Sequence, residues 1–284
     1  MEKVEITQIG NLEFIPLKGL TRKIWQEVKD KPPENVKGIT YPRDGLEIEC
    51  VIDDNCEACP FAVKYVIELA KELKHAKVRI YNISYVPQPW HIAATPAFRI
   101  NKKVTSVGVP LDPKDVKPYF QDLLDQAYVL THPKLEWLLG RIEKYGKDHG
   151  FKRNPNNKAF FRLLYKLLRN IDKYGQPFCP CRPLNKSNPA KILDLNRDKI
   201  CPCIYAEREV REKGHCLCGL FWSEKKVSEY VQQKVNENAE AFKLIEEIEE
   251  LLKELRHRIV SGDSKGVAGV ILERCVKLYS IVPE

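Results

Sequence analysis

The 284 residues include a single methionine, and no apolar run approaches the ~20 residues that a membrane-crossing helix needs. The opening MEKVEITQIG lacks the apolar stretch of a secretory signal. Internal repeats, low-complexity tracts and nucleic-acid-binding motifs are missing as well. These absences lead us to expect a soluble, cytoplasmic protein that engages neither membrane nor nucleic acid. Scarce methionine beside abundant Lys and Glu is compatible with a thermophilic, anaerobic source.

Cysteine is plentiful by contrast. There are ten, and six of them fall between Cys179 and Cys218. In a reducing compartment such clustering points to metal binding or thiol chemistry rather than to structural disulfides. Charge is localised in the same place. Phe151 to Ser223 holds 15 Lys and Arg against 6 Asp and Glu, whereas the remainder holds 32 against 33. A basic face around a metal site suits an acidic protein partner.

With 43% hydrophobic and 30% charged residues, the chain reads as globular and long enough for two domains. Up to residue 127 the pattern is α/β. A short helix is expected over Leu20 to Lys29 and strands over Leu46 to Ile52 and Lys77 to Ile83. Between those strands, Cys59 to Leu73 has helical periodicity, with Ala62, Val66, Leu69 and Leu73 on one face. A hairpin is expected across Asn101-Lys102-Lys103, and Asp112-Pro113 starts a further helix. Residues 128–157 read as a linker with a helical segment. Residues 158–223 form the cysteine-rich domain, opened by a helix with Phe161, Leu164, Leu168 and Ile171 at core spacing. Residues 224–284 read as a helical hairpin, with a break at Ser261-Gly262-Asp263 and a second helix over Val267 to Tyr279. Its apolar stripe (Val235, Ala239, Phe242, Ile245, Leu252, Leu255, Ile259) is expected to pack on the body or on a second copy.

Three Cys-x-Cys pairs stand in order: Cys179-Pro-Cys181, Cys201-Pro-Cys203 and Cys216-Leu-Cys218. Thiolates suit soft centres, and a four-iron cluster takes four of them, leaving two. Zinc is the competing reading, although zinc ligands are usually spaced C-x2-C. The segments FCPCRP, KICPCIYAERE and HCLCGLF, behind the helix KAFFRLLYKLLRNIDKYG, resemble the catalytic subunit of ferredoxin–thioredoxin reductase from about Lys158 to Trp222. That resemblance implies a mainly helical iron–sulfur domain with a [4Fe–4S] cluster on Cys179, Cys201, Cys203 and Cys216. It also implies an active-site disulfide between Cys181, the outer attacking thiol, and Cys218, the inner thiol that interacts with the cluster. Two departures stand out. The gaps between pairs are longer, and the family's histidine inside the last pair is Leu217 here. His215, just ahead of that pair, is the auxiliary candidate in its place; a plain surface role is the other reading.

Near the N-terminus, Cys56-Glu57-Ala58-Cys59 follows a strand and opens a helix, whose free amides and dipole favour a thiolate at Cys56. With Thr95-Pro96 ahead of a later strand, this resembles the thioredoxin/glutaredoxin family over Gly45 to Ala127. The resemblance implies a thioredoxin-like α/β domain with a cis Pro96 facing the redox pair. Half a zinc site is the alternative for a lone C-x-x-C. Cys50 and Cys275 read as buried structural thiols, while Trp90 and His91 suit either partner contact or packing.

Together these readings predict an iron–sulfur disulfide reductase that takes single electrons from ferredoxin or a similar acidic donor. It would reduce thioredoxin-like or other disulfide-bearing proteins, with Cys56 and Cys59 relaying electrons from Cys181 and Cys218. A cluster-holding scaffold without thiol turnover and a zinc-stabilised module are the alternatives.

Overall fold

A computed structural model describes residues 5–261. Two compact units emerge among these residues. The first comprises the chain up to Gly140 together with Phe161–Phe178, and the second comprises Arg141–Phe160 and the chain from Cys179 onward.

The first unit is built on a six-stranded mixed sheet. In chain order its elements are β1 (Thr7–Ile9), β2 (Leu12–Ile15), α1 (Gly19–Val28), β3 (Glu47–Ile52), α2 (Cys59–Glu72), β4 (Lys77–Asn82), β5 (Ala97–Ile100), β6 (Val104–Val107) and α3 (Pro113–Leu130). The strands lie in the order β1-β2-β4-β3-β5-β6. β4 runs parallel to both β2 and β3, while β5 is antiparallel to β3 and β6. Central β3 carries an almost continuous buried run, as a strand with neighbours on both sides should. The expected helices and the hairpin are present with ends shifted by a few residues, and β1 and β2 are additions.

Strand alternation sorts the sheet into two faces. Phe14, Ile80, Cys50 and Phe98 share one face, and all are buried. The opposite face carries a row in register across four strands: Glu13, Arg79, Glu49 and Arg99. Glu49 is almost fully buried. Arg99 Nε lies 2.7 Å from its carboxylate and Arg79 lies 3.6 Å away, while Arg79 also meets Glu13 at 3.0 Å. Flanking cations make the buried charge tolerable. Trp90 packs here under the Arg99 guanidinium at 4.0 Å, with Tyr81 edge-on at 5.9 Å. His91 is exposed.

α4 (Leu135–His149) and α5 (Asn157–Tyr174) follow. The buried positions of α5 are Phe160, Leu163, Leu164, Leu167 and Leu168. Expected Phe161 and Ile171 are only half-buried, so the apolar stripe is rotated from the predicted one. The sequence reading assigned this helix wholly to the cysteine-rich domain; here its turns from Phe161 belong to the first unit. Within that unit, α3 and α5 are joined by polar contacts. Tyr128 donates to Asp172 at 2.7 Å, and His132 Nε2 donates to the other carboxylate oxygen at 3.1 Å. The Lys134 N–H donates to His132 Nδ1 at 3.0 Å, which fixes the proton on Nε2.

The second unit contains a short ribbon of β7 (Lys152–Arg153) and β8 (Phe221–Trp222), the helix α6 (Ala206–Lys213) and the long α7 (Glu224–Ser261). Two 3-10 turns, Pro189–Lys191 and Asp194–Lys199, occupy the gap between the first two cysteine pairs. In α7 the expected stripe faces outward. Val235, Phe242, Ile245 and Leu252 are exposed, and Ala241 and Leu244 are buried instead. Ser261 is still helical, and Gly262-Asp263 of the expected break, the second helix of the hairpin and Cys275 lie outside the described residues. No described helix is long and apolar enough to cross a membrane.

Candidate active site

In the second unit, hydrogen bonds to the backbone order each of the three Cys-x-Cys segments and join the first to the second. The Cys179 N–H donates to the Lys199 carbonyl at 2.7 Å, which joins the first segment to the approach of the second. The Arg182 N–H closes a turn onto the Cys179 carbonyl at 3.3 Å. Arg141 Nε donates to the Cys201 carbonyl at 2.8 Å. In the third segment, the Cys216 N–H bonds the Phe221 carbonyl at 3.0 Å and the Gly219 N–H bonds the Cys216 carbonyl at 2.8 Å. Gly219 takes a φ of 75°, a conformation that glycine adopts without a Cβ penalty.

Burial divides the six thiols. Cys179, Cys201, Cys203 and Cys216 retain 3%, 3%, 6% and 3% exposure, whereas Cys181 is exposed and Cys218 is half-buried. Four of the sulfurs are in contact. Cys216 and Cys218 are 3.6 Å apart, and Cys179 contacts both Cys203 and Cys218. Hydrogen bonds from Cys203 and Cys218 hold the Cys179 thiol far below its ordinary range. Cys216 is lowered to about 7, by the Cys218 contact and by N–H groups that include Phe221, whose nitrogen lies 3.3 Å from the sulfur. The same contacts push Cys203 and Cys218 up, and burial pushes up Cys201.

This donor set fits an iron–sulfur cluster in chemistry: four buried thiols, the ligand type such clusters take. Arg182 Nε supports the fit, because it is buried without a hydrogen-bond partner among the described residues and its side chain contacts Cys203. It is a donor that a cluster sulfur could take up. Among the described residues, no three His, Cys, Asp or Glu side chains converge on one point suitable for a single ion. A four-iron cluster takes one thiolate per iron and does not require such convergence.

Sequence reasoning missed Arg182 and Glu209. Arg182 Nη2 lies 2.5 Å from Glu209 Oε1, and its guanidinium stacks over Tyr205 at 4.1 Å. Glu209 Oε2 accepts the Leu217 N–H at 2.9 Å. Nothing in the sequence marks this Arg and Glu as partly buried rather than surface charges. His215 is tied to backbone, its Nδ1 donating to the Cys216 carbonyl at 3.0 Å with Trp222 5.7 Å away.

In the first unit, Cys56 and Cys59 form a disulfide at the start of α2. Cys59 is fully buried and Cys56 half-buried. Pro60 sits in the first helical turn, where its missing N–H costs nothing. The Cys56 sulfur lies 3.3 Å from the Thr95 carbonyl oxygen, and the Thr95-Pro96 bond is cis. An open groove of about 280 Å³ flanks Cys56, lined in part by Asp53, Asn55, Gln88, Ile92 and Thr95.

Residues 131–247 match the family model of the ferredoxin thioredoxin reductase catalytic beta chain. The chain is 32% identical over 96 residues to the ferredoxin-thioredoxin reductase catalytic chain of Porphyra purpurea, covering 34% of this chain and 75% of that relative. Among solved structures, the NTD_N/C domain of alkylhydroperoxide reductase AhpF from Enterococcus faecalis aligns with a TM-score of 0.32 and 17% identity, over 39% of this chain and 59% of the other. The AhpF C503A mutant aligns with a TM-score of 0.31 and 18% identity over the same shares.

Proposed function

The chain belongs to the family of the ferredoxin thioredoxin reductase catalytic beta chain, whose members are disulfide-reducing oxidoreductases, and from that premise we propose that Cys181 and Cys218 are its reactive dithiol. The observation that carries this assignment is the division by burial. The four cysteines that match the family's ligands are enclosed, while Cys181 is open to a protein substrate and Cys218 touches the sulfurs of Cys179 and Cys216.

Cys179, Cys201, Cys203 and Cys216 would hold a [4Fe–4S] cluster, which when bound would supply electrons one at a time. The Cys181 thiolate attacks a substrate disulfide, bonds one sulfur and releases the other as a thiolate. Cys218 attacks Cys181 in turn, which frees the second substrate thiol and leaves Cys181–Cys218 oxidised. Two electrons and two protons restore the dithiol. Exposed Ile204 and Leu217, at 71% and 52%, offer apolar surface for a protein substrate beside the second and third pairs.

The first unit is read as thioredoxin-like. Support comes from its order β2-α1-β3-α2-β4-β5-β6-α3, with the C-x-x-C pair opening α2 beside the Thr95 carbonyl. Cys56–Cys59 would take electrons from Cys181–Cys218 and pass them to client proteins. Covalent fusion raises the effective concentration of one pair for the other. The electron donor is taken to be ferredoxin or a similar acidic protein, and the cytoplasm the place of action.

Anaerobic purification tests the ligand set. Cys201→Ser should abolish the visible iron–sulfur absorbance, while Cys181→Ser should keep it together with the iron-to-sulfide ratio. Full loss of absorbance in Cys181→Ser would overturn the assignment.

A further inference from the structure

Arg182 and Glu209 reach all three cysteine segments. Arg182 follows Cys181 directly in the chain, and its side chain contacts Cys203 and stacks on Tyr205 in the second segment. Through Glu209 it reaches the third segment, since the carboxylate that pairs with Arg182 also accepts the Leu217 N–H between Cys216 and Cys218. Both side chains are largely shielded, with 16% and 11% exposure. Shielding strengthens the pair, but it makes the loss of either partner costly because the other charge is then left alone.

We propose that the Arg182–Glu209 pair is a positioning clamp, which registers the loop of Cys181 against the loop of Cys218 and so sets how readily these two thiols close into a disulfide. The inference rests on the assignment of Cys181 and Cys218 as the reactive pair. Neither Arg182 nor Glu209 exchanges electrons; each acts through the placement of the sulfurs. Fixing two thiols in register raises their effective concentration for each other. Releasing the clamp makes the disulfide easier to reduce and leaves the four buried thiols in place.

The test uses holoprotein equilibrated anaerobically in glutathione redox buffers, in which oxidised glutathione accepts the two electrons as Cys181–Cys218 forms. Alkylation and peptide mapping then read the disulfide fraction. Arg182→Gln and Glu209→Gln should each shift the equilibrium at least tenfold toward the dithiol, which is about 30 mV for a two-electron couple. Visible absorbance should be retained in Glu209→Gln, whose side chain bonds Arg182 and the Leu217 N–H rather than a sulfur, and Arg182→Lys, which keeps the charge, should shift the equilibrium less. A role in general stability alone would lower the melting temperature and leave this equilibrium unmoved. Equilibria within twofold of wild type in both Gln variants would overturn the clamp. Should those variants not fold, hydrogen exchange at the Leu217 amide of the wild-type holoprotein decides. At least tenfold slowing is expected, and exchange at the unprotected rate overturns the proposal. If the wild type never forms Cys181–Cys218 at any poise, the functional assignment itself fails before any variant is compared.

Discussion

At the scale of single residues, the two cysteines of each pair proposed as reactive differ in access. Cys59 is enclosed at the start of α2 while Cys56 borders an open groove, and Cys181 is exposed while Cys218 is among other sulfurs. Nucleophilic attack between the pairs should therefore join Cys181 to Cys56 and release Cys59 as the thiolate. Removing the partner that resolves this adduct should let it build up. In Cys218→Ser, a Cys181–Cys56 disulfide is expected by non-reducing peptide mapping, within one chain or between two. Cys56 left unlinked while an added thioredoxin is trapped readily would show that the two pairs serve separate substrates.

At the scale of elements, α5 holds the end of the segment that follows it and is itself held by α3. Asn170 of α5 donates to the Phe178 carbonyl at 2.6 Å, one residue before Cys179. Asp172 receives Tyr128 and His132 from α3 and the turn after it. Burial lowers the His132 pKa more than Asp172 raises it, with Arg43 and Lys134 adding to the lowering. A depressed folded value means that the native state resists protonation. Stability is then fully present above the ordinary imidazole pKa of ~6.5 and is lost as pH falls through the folded value. The melting temperature should decline from pH 7 to pH 5. His132→Gln removes the titration and should flatten that decline, at a cost of about 1 kcal/mol at pH 7 for the imperfectly replaced hydrogen bonds. An unchanged slope in the variant would assign the pH dependence to other groups.

At the scale of the whole molecule, the excess of positive charge is confined to one stretch of chain. The 15 basic against 6 acidic residues from Phe151 to Ser223 enclose all six thiols of the cysteine-rich segment. Electrostatic docking of an acidic electron donor should be screened as salt shortens the Debye length from ~30 Å at 0.01 M to ~10 Å at 0.1 M. The rate of reduction by ferredoxin should fall several-fold over that range. A rate unmoved by salt would remove the basic surface from the account of donor binding.

Much of this was legible in the sequence, because the signals were local. The C-x-x-C pair before α2, the apolar face of that helix at Ala62, Val66, Leu69 and Leu73, and the three Cys-x-Cys pairs each depend on residues a few positions apart. Family membership followed from the same short motifs. What depended on contacts between distant segments did not show. Thr7–Ile9 and Leu12–Ile15 are strands because β4 supplies the partner for β2. The buried stripe of α5, Phe160, Leu163, Leu164, Leu167 and Leu168, keeps the helical i, i+3, i+4, i+7 spacing, but Phe161 and Ile171 offered a second apolar line at the same period, and packing decided between them. Glu49 is tolerated inside only because the register sets Arg79 and Arg99 beside it. The Arg182–Glu209 link joins residues 27 positions apart, and a charged side chain carries no mark of its burial until the chain has folded around it. Sequence alone determined the family and the side chains on offer, six thiols in three close pairs. The tertiary structure decided which of them are enclosed, which is open, and what holds their loops together, because exposure and ion pairing belong to the packed molecule and not to any segment of it.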